Sequence, residues 1–107
     1  MGRPLGDLER RILLAVLQLG SEAYAAAIGQ VLQAGDGKPL SRGALYTTLD
    51  RLEAKGHLTW KTEATTPARG GIPRRAFRVT TAGLAALRAD HQELESLVRR
   101  ISAVLGH

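Results

Sequence analysis

The sequence predicts a mainly α-helical fold that carries one small β-hairpin and closes on a long C-terminal helix. Three observations predict it. Apolar residues recur at helical spacing in three short stretches before residue 57. Two alternating runs then flank a stretch rich in Pro and Gly. Finally, Leu84, Leu87, His91, Leu94, Val98, Ile101 and Leu105 alternate spacings of three and four, as a heptad seam does.

The first helix reads from Asp7, a suitable N-cap, to about Leu19. Leu8, Ile12, Ala15, Val16 and Leu19 share one face, while Leu13, Leu14 and Leu17 make much of the opposite side apolar. A helix apolar nearly all round needs cover on both sides, so one side is expected against a second partner. Gly20-Ser21 ends it. Tyr24, Ile28, Val31 and Leu32 stripe a second helix that ends near Gln33, before the turn Gly35-Asp36-Gly37. The third helix is bounded by Ser41 as N-cap and Gly56 as the residue after its end, with Leu45, Leu49 and Leu52 inward. Its outward face carries Gly43, Tyr46, Thr47, Asp50, Arg51 and Ala54, polar and mostly small, so it can approach a groove closely.

In His57–Thr62, Leu58 and Trp60 point one way; in Arg75–Thr80, Phe77 and Val79 do. The intervening Thr65–Arg74 stretch excludes regular structure and reads as a long basic hairpin tip. The last helix starts at Thr80 or Thr81 and runs to about Leu105, roughly 37 Å at 1.5 Å per residue. That exceeds what a small domain needs, so the seam is expected to lie between two chains. The division is residues 1–80 as one globular unit and 81–107 as a dimerisation helix.

Of the 107 residues, 15 are Lys or Arg and 10 Asp or Glu, a net charge of +5. The excess is concentrated: Lys38 to Arg78 holds nine basic residues against three acidic, and the rest of the chain is slightly negative. A segment so charged points to a polyanion partner, with a solubilising surface as the alternative. The absence of cysteine removes disulfides, thiolate metal sites and thiol nucleophiles, and fits a cytoplasmic location. The longest apolar run, Ile12–Leu17, is far too short to span a bilayer, so no membrane partner is expected. His57, His91 and His107 have neither a His-x-x-x-His spacing nor a carboxylate cluster, so no metal and no cofactor are expected. No nucleophile triad or paired carboxylates can be placed, and Glu93 and Glu95 read as solvated helix charges; an enzyme is not expected.

Three short helices followed by a hairpin and a long helix is the order of a winged helix-turn-helix. In that arrangement the third helix enters the major groove of double-stranded DNA and the hairpin tip reaches phosphates or the minor groove. Arg42 is placed for guanine or phosphate, and Ser41 and Thr47 for bases or phosphates, with Thr48 nearer the core. The Tyr46 hydroxyl either donates to a phosphate or packs on the second helix. Arg51 lies on the outward face; Lys55 and Lys61 are phosphate contacts or plain surface charge. At the wing, Arg69, Arg74 and Arg75 are the cations, and Gly70 lets backbone approach closely. The chain has no asparagine, and no glutamine falls in the third helix, so bidentate adenine reading from it is excluded.

The chain also resembles the PadR-type transcriptional regulators, in the short subfamily with one C-terminal helix. The residues that carry the resemblance are Leu13–Leu17, Glu22-Ala23-Tyr24, the block Ser41–Gly56, Arg69-Gly70-Gly71, Arg74–Thr80 and Ala82-Gly83. It implies a homodimeric repressor whose first and last helices form the interface, and thus a palindromic operator. Thr47 stands where many members have Pro, Asp50 where many have His, and Ala25 where many have Gly. Asp50 would repel phosphate unless it accepts from a cytosine amino group; pairing with Arg51 or another cation is the alternative. The interface residues expected are Leu13, Leu17, Leu84, Leu87, His91, Leu94, Val98, Ile101 and Leu105. His91 either sets register in that seam or senses pH across the two-fold axis. Trp60 either packs under the wing or, with the last helix, lines an effector pocket between subunits. A protein-interaction adaptor that binds no DNA is the competing function; it has no need of Arg42, Arg69, Arg74 and Arg75.

Overall fold

The computed structural model describes residues 5–36, 39–63 and 73–106. Within them the order is α1 (Asp7–Leu19), a single 3-10 turn (Gly20–Glu22), α2 (Ala25–Asp36), α3 (Arg42–Ala54), β1 (Leu58–Glu63), β2 (Arg74–Val79) and α4 (Thr81–Val104). The fold is mainly helical with a two-stranded antiparallel hairpin, as the pattern predicts.

Helix α1 runs through the centre, with α2, α3, β2 and α4 packed around it. Its cap is Gly6 rather than Asp7. The Glu9 carboxylate turns back to accept the N–H of this capping Gly6 at 2.9 Å, the return bond of a capping box. Leu13 departs from expectation in a more consequential way. It lies in the core with no exposure, beside Ile12 and Val16, while Leu14 and Leu17 remain 50% and 46% exposed. The reason is the number of neighbours: an arc covered by four elements is wider than one apolar stripe and takes in Leu13. Complete burial of a side chain that size contributes about 1.5–3 kcal/mol.

Ser41 caps α3 by accepting the Ala44 N–H at 3.0 Å. Leu45, Leu49 and Leu52 face the core with Thr48, whose hydroxyl donates to the Ala44 carbonyl at 2.7 Å. Gly56, at φ +79°, turns the chain out of the helix into β1. The hairpin pairs Leu58 with Val79, Trp60 with Phe77 and Glu63 with Arg74. Arg74 is therefore the first residue of β2, not part of the loop. A further strand fragment was not foreseen. Tyr24 bridges Ala76, and the Phe77 N–H donates to the Ala23 carbonyl at 2.9 Å, so the start of α2 is stitched to the free edge of β2.

Thr80 caps α4 and anchors it as well. Its hydroxyl oxygen accepts the Gly83 N–H at 3.0 Å and donates to the Gly56 carbonyl at 2.6 Å. Arg10 of α1 ties down the middle of α4 through two hydrogen bonds to the Asp90 carboxylate, from Nε and, at 3.3 Å, from Nη2. These bonds hold the Asp90 carboxyl below its ordinary pKa against the opposing effect of burial.

Candidate nucleic-acid interface

The inward residues of α3 fix what its outer side shows. With 100° per residue, the burial of Leu45, Thr48, Leu49 and Leu52 leaves Gly43, Thr47, Asp50 and Ala54 on the opposite strip, all exposed. Arg42 and Arg51 flank that strip on either side and are exposed too. The strip is small and polar, so nothing on it holds the helix axis away from a groove. Tyr46 is half-buried and packs toward α2: with Ala25, Ala26 and Gly29 it lines a groove between the two helices.

Tyr46 also borders a hollow of about 270 Å³ whose other wall is β2, with Pro73, Arg74 and Arg75. Tyr46, at the edge of the outward strip of α3, and the base of the hairpin thus border one hollow. Strand alternation sends the two arginines to opposite sides of the sheet. The Arg74 guanidinium lies 3.5 Å over the Tyr24 ring, and its Nε is buried without a partner among the described residues. The Tyr24 hydroxyl donates to Glu63 at 2.6 Å. That bond to a carboxylate, together with burial, raises the phenol pKa, while the Arg74 charge opposes the rise. Arg75 stacks over Trp60 at 5.0 Å and Phe77 at 5.5 Å. Trp60 lies beneath it, and its indole N–H donates to Glu53 of α3 at 2.8 Å. Both arginines are held by aromatic faces, which orients their charge at the root of the wing. Arg69 and Gly70 lie outside the described residues.

Lys61 projects from β1 into solvent. Lys55 is engaged elsewhere: its ammonium donates to Glu9 at 2.6 Å, joining the end of α3 to the start of α1. Burial pushes the Glu9 carboxyl up, but the hydrogen bonds from Lys55 and Gly6 and the charges of Lys55 and Arg51 outweigh it. Its pKa falls below the usual carboxylate value. Nothing local in the sequence pointed to this pair, whose members stand 46 positions apart.

A second surface is apolar. Leu14 and Leu17 of α1 face Leu84, Leu87 and Leu94 of α4 across an open groove of about 620 Å³. Beyond it Leu97, Val98, Ile101, Val104 and Leu105 stay 45–86% exposed. Leu14 and Leu97 were not among the expected interface residues, and Leu13 cannot serve there from the core. His91 edges the groove, with Nε2 3.2 Å from Glu95 one turn on.

The profile of the transcriptional regulator PadR-like family matches residues 13–89. The chain belongs to the PadR-like family of transcriptional regulators. The match runs from α1 through the hairpin into the first part of α4, so it takes in α3 and the hairpin and stops before the exposed apolar residues from Leu94 onward. The transcriptional regulator Rv3488 of Mycobacterium tuberculosis is 38% identical over 87 residues, 81% of this chain and 77% of that protein. Among solved structures, a PadR-like transcription factor from Bacteroides fragilis is 32% identical with a TM-score of 0.66, over 88% of both chains. A PadR-like regulator from Bacillus cereus is 22% identical; it shares the fold at a TM-score of 0.71 over 94% of this chain and 92% of its own.

Proposed function

We propose that this PadR-family regulator is a repressor that binds a palindromic operator in double-stranded DNA as a homodimer. One observation carries the reading. An α3 strip without bulk, flanked by Arg42 and Arg51, lies on the helix whose Tyr46 shares a hollow with the arginine-bearing root of the hairpin. That layout suits a helix in the major groove and a wing on the adjoining backbone. The uncovered leucines of α1 and α4 supply the second copy's seat, because a soluble monomer rarely leaves so continuous an apolar face in water. A pair related by a two-fold axis reads two half-sites about 34–36 Å apart. Action on genomic DNA goes with a cytoplasmic location.

Selection of bound duplexes from a random pool at stated salt tests the proposal. A palindromic consensus is expected. Arg42→Ala then erodes discrimination between sequences. Lys61→Ala weakens all duplexes alike and lowers the salt slope by about 0.9. Absence of duplex binding at low salt refutes the reading, as does a consensus without symmetry.

A further inference from the structure

We infer that Asp50 sets base specificity by accepting a hydrogen bond from a cytosine amino group in each half-site. The inference rests on the DNA-binding reading above and adds the base that α3 demands.

Asp50 stands on the outermost strip of α3, one turn beyond Thr47 and one before Ala54. Its carboxylate has no hydrogen bond or ion pair among the described residues. The cations nearest to it in the chain, and the aromatic-held Arg75, are placed otherwise. Lys55 is committed to Glu9 at 2.6 Å. Arg51 is the next residue, and consecutive helical side chains diverge by 100°; its charge bears on Glu9 instead. Arg75 lies over Trp60 and Phe77. A free negative charge therefore occupies the middle of the surface that would meet a polyanion.

Such a charge opposes binding unless a donor faces it. In the major groove guanine presents only acceptors at N7 and O6, and thymine an acceptor at O4. Adenine presents a donor, but beside the N7 acceptor, which repels a carboxylate. Cytosine N4 offers a donor with no acceptor on the same base edge. Asp50 is thus a selector that works by rejecting three bases as much as by binding the fourth. The missing side chains in α3 agree: without Asn or Gln there, the helix has no adenine reader to compete for the position.

The test is duplex selection with the full chain and with Asp50→Asn and Asp50→Ala, each first checked for an unchanged thermal melt. The wild type is expected to enrich cytosine at one position per half-site, by roughly 5- to 150-fold over other bases. Asp50→Asn moves that position to adenine, since an amide offers both donor and acceptor. Asp50→Ala leaves it unspecified and binds non-cognate duplex as well as or better than the wild type. If the wild type selects a consensus that neither substitution alters, the Asp50 assignment is overturned and the DNA-binding reading stands. If the wild type selects no duplex, both fall.

Discussion

Replacing Gly83 by alanine is expected to loosen the joint between α4 and the rest of the molecule. A methyl group there would sit 2.3 Å from the His57 carbonyl oxygen and 2.8 Å from Val79 Cγ1. Favourable contacts lie near 3.5–4.0 Å, so a shift of about 1 Å is needed. Val79 can rotate aside. The His57 carbonyl cannot, because it is backbone and accepts the Thr80 N–H at 3.1 Å. Overpacking of this kind costs about 1–3 kcal/mol, and weakening the Thr80 bond adds about 1 kcal/mol. The higher helix propensity of alanine returns about 1 kcal/mol. The net loss is about 1–3 kcal/mol. At roughly 4–8 °C per kcal/mol for a chain of this size, Tm falls by about 4–24 °C. Thermal circular dichroism at one protein concentration reads it. Gly29→Ala is the control, since its methyl would meet only Leu45 Cδ2, at an ordinary 3.5 Å, and should leave Tm unchanged or higher. A Gly83→Ala protein that melts at or above the wild-type temperature would refute the close approach and the rigid joint with it.

Three further outcomes follow from other contacts. Lys55→Ala strands the buried Glu9 carboxylate and is expected to cost about 1–3 kcal/mol near pH 7 by urea unfolding. Because folding depresses the Glu9 pKa, the pair's contribution is fully present above the unfolded value of about 4.3 and is lost as pH falls through the folded one, so the cost must shrink in acid. Ser41→Ala removes the cap on α3 and should lower stability by about 1 kcal/mol; an unchanged denaturation midpoint would deny the Ala44 bond. Leu17→Glu combined with Ile101→Glu places charge on the apolar face, and sedimentation should then report a monomer where the wild type sediments as a dimer.

Much of this was readable from spacing. The cap at Ser41, the start of the last helix at Thr80 or Thr81, the inward leucines of α3 and the paired runs Leu58/Trp60 and Phe77/Val79 are local patterns, and local patterns specify local structure. What escaped was the product of distance. A lone bridge at Tyr24 has no alternation to announce it, and it matters because it fixes which edge of β2 is closed. Arg74 follows Pro73 and reads as loop until Glu63 and Tyr24 are known to face it. On α1, periodicity showed two apolar sides but not how wide the covered arc would be; that depended on four neighbours, and it decided between Leu13 and Leu14. For the candidate site, residue type was legible, but the engagement of Lys55 by Glu9 was not, since it needs the chain to bring position 9 beside position 55.

The bond from Thr80 to the Gly56 carbonyl fastens the start of the longest helix to the end of the one that faces outward with Arg42 and Thr47. With Gly83 pressed against His57, this braces the joint between the element that would read a sequence and the lever that would hold its twin. Were two copies joined through their long helices, a signal that changed the gap between their outward helices would have to act where those levers cross.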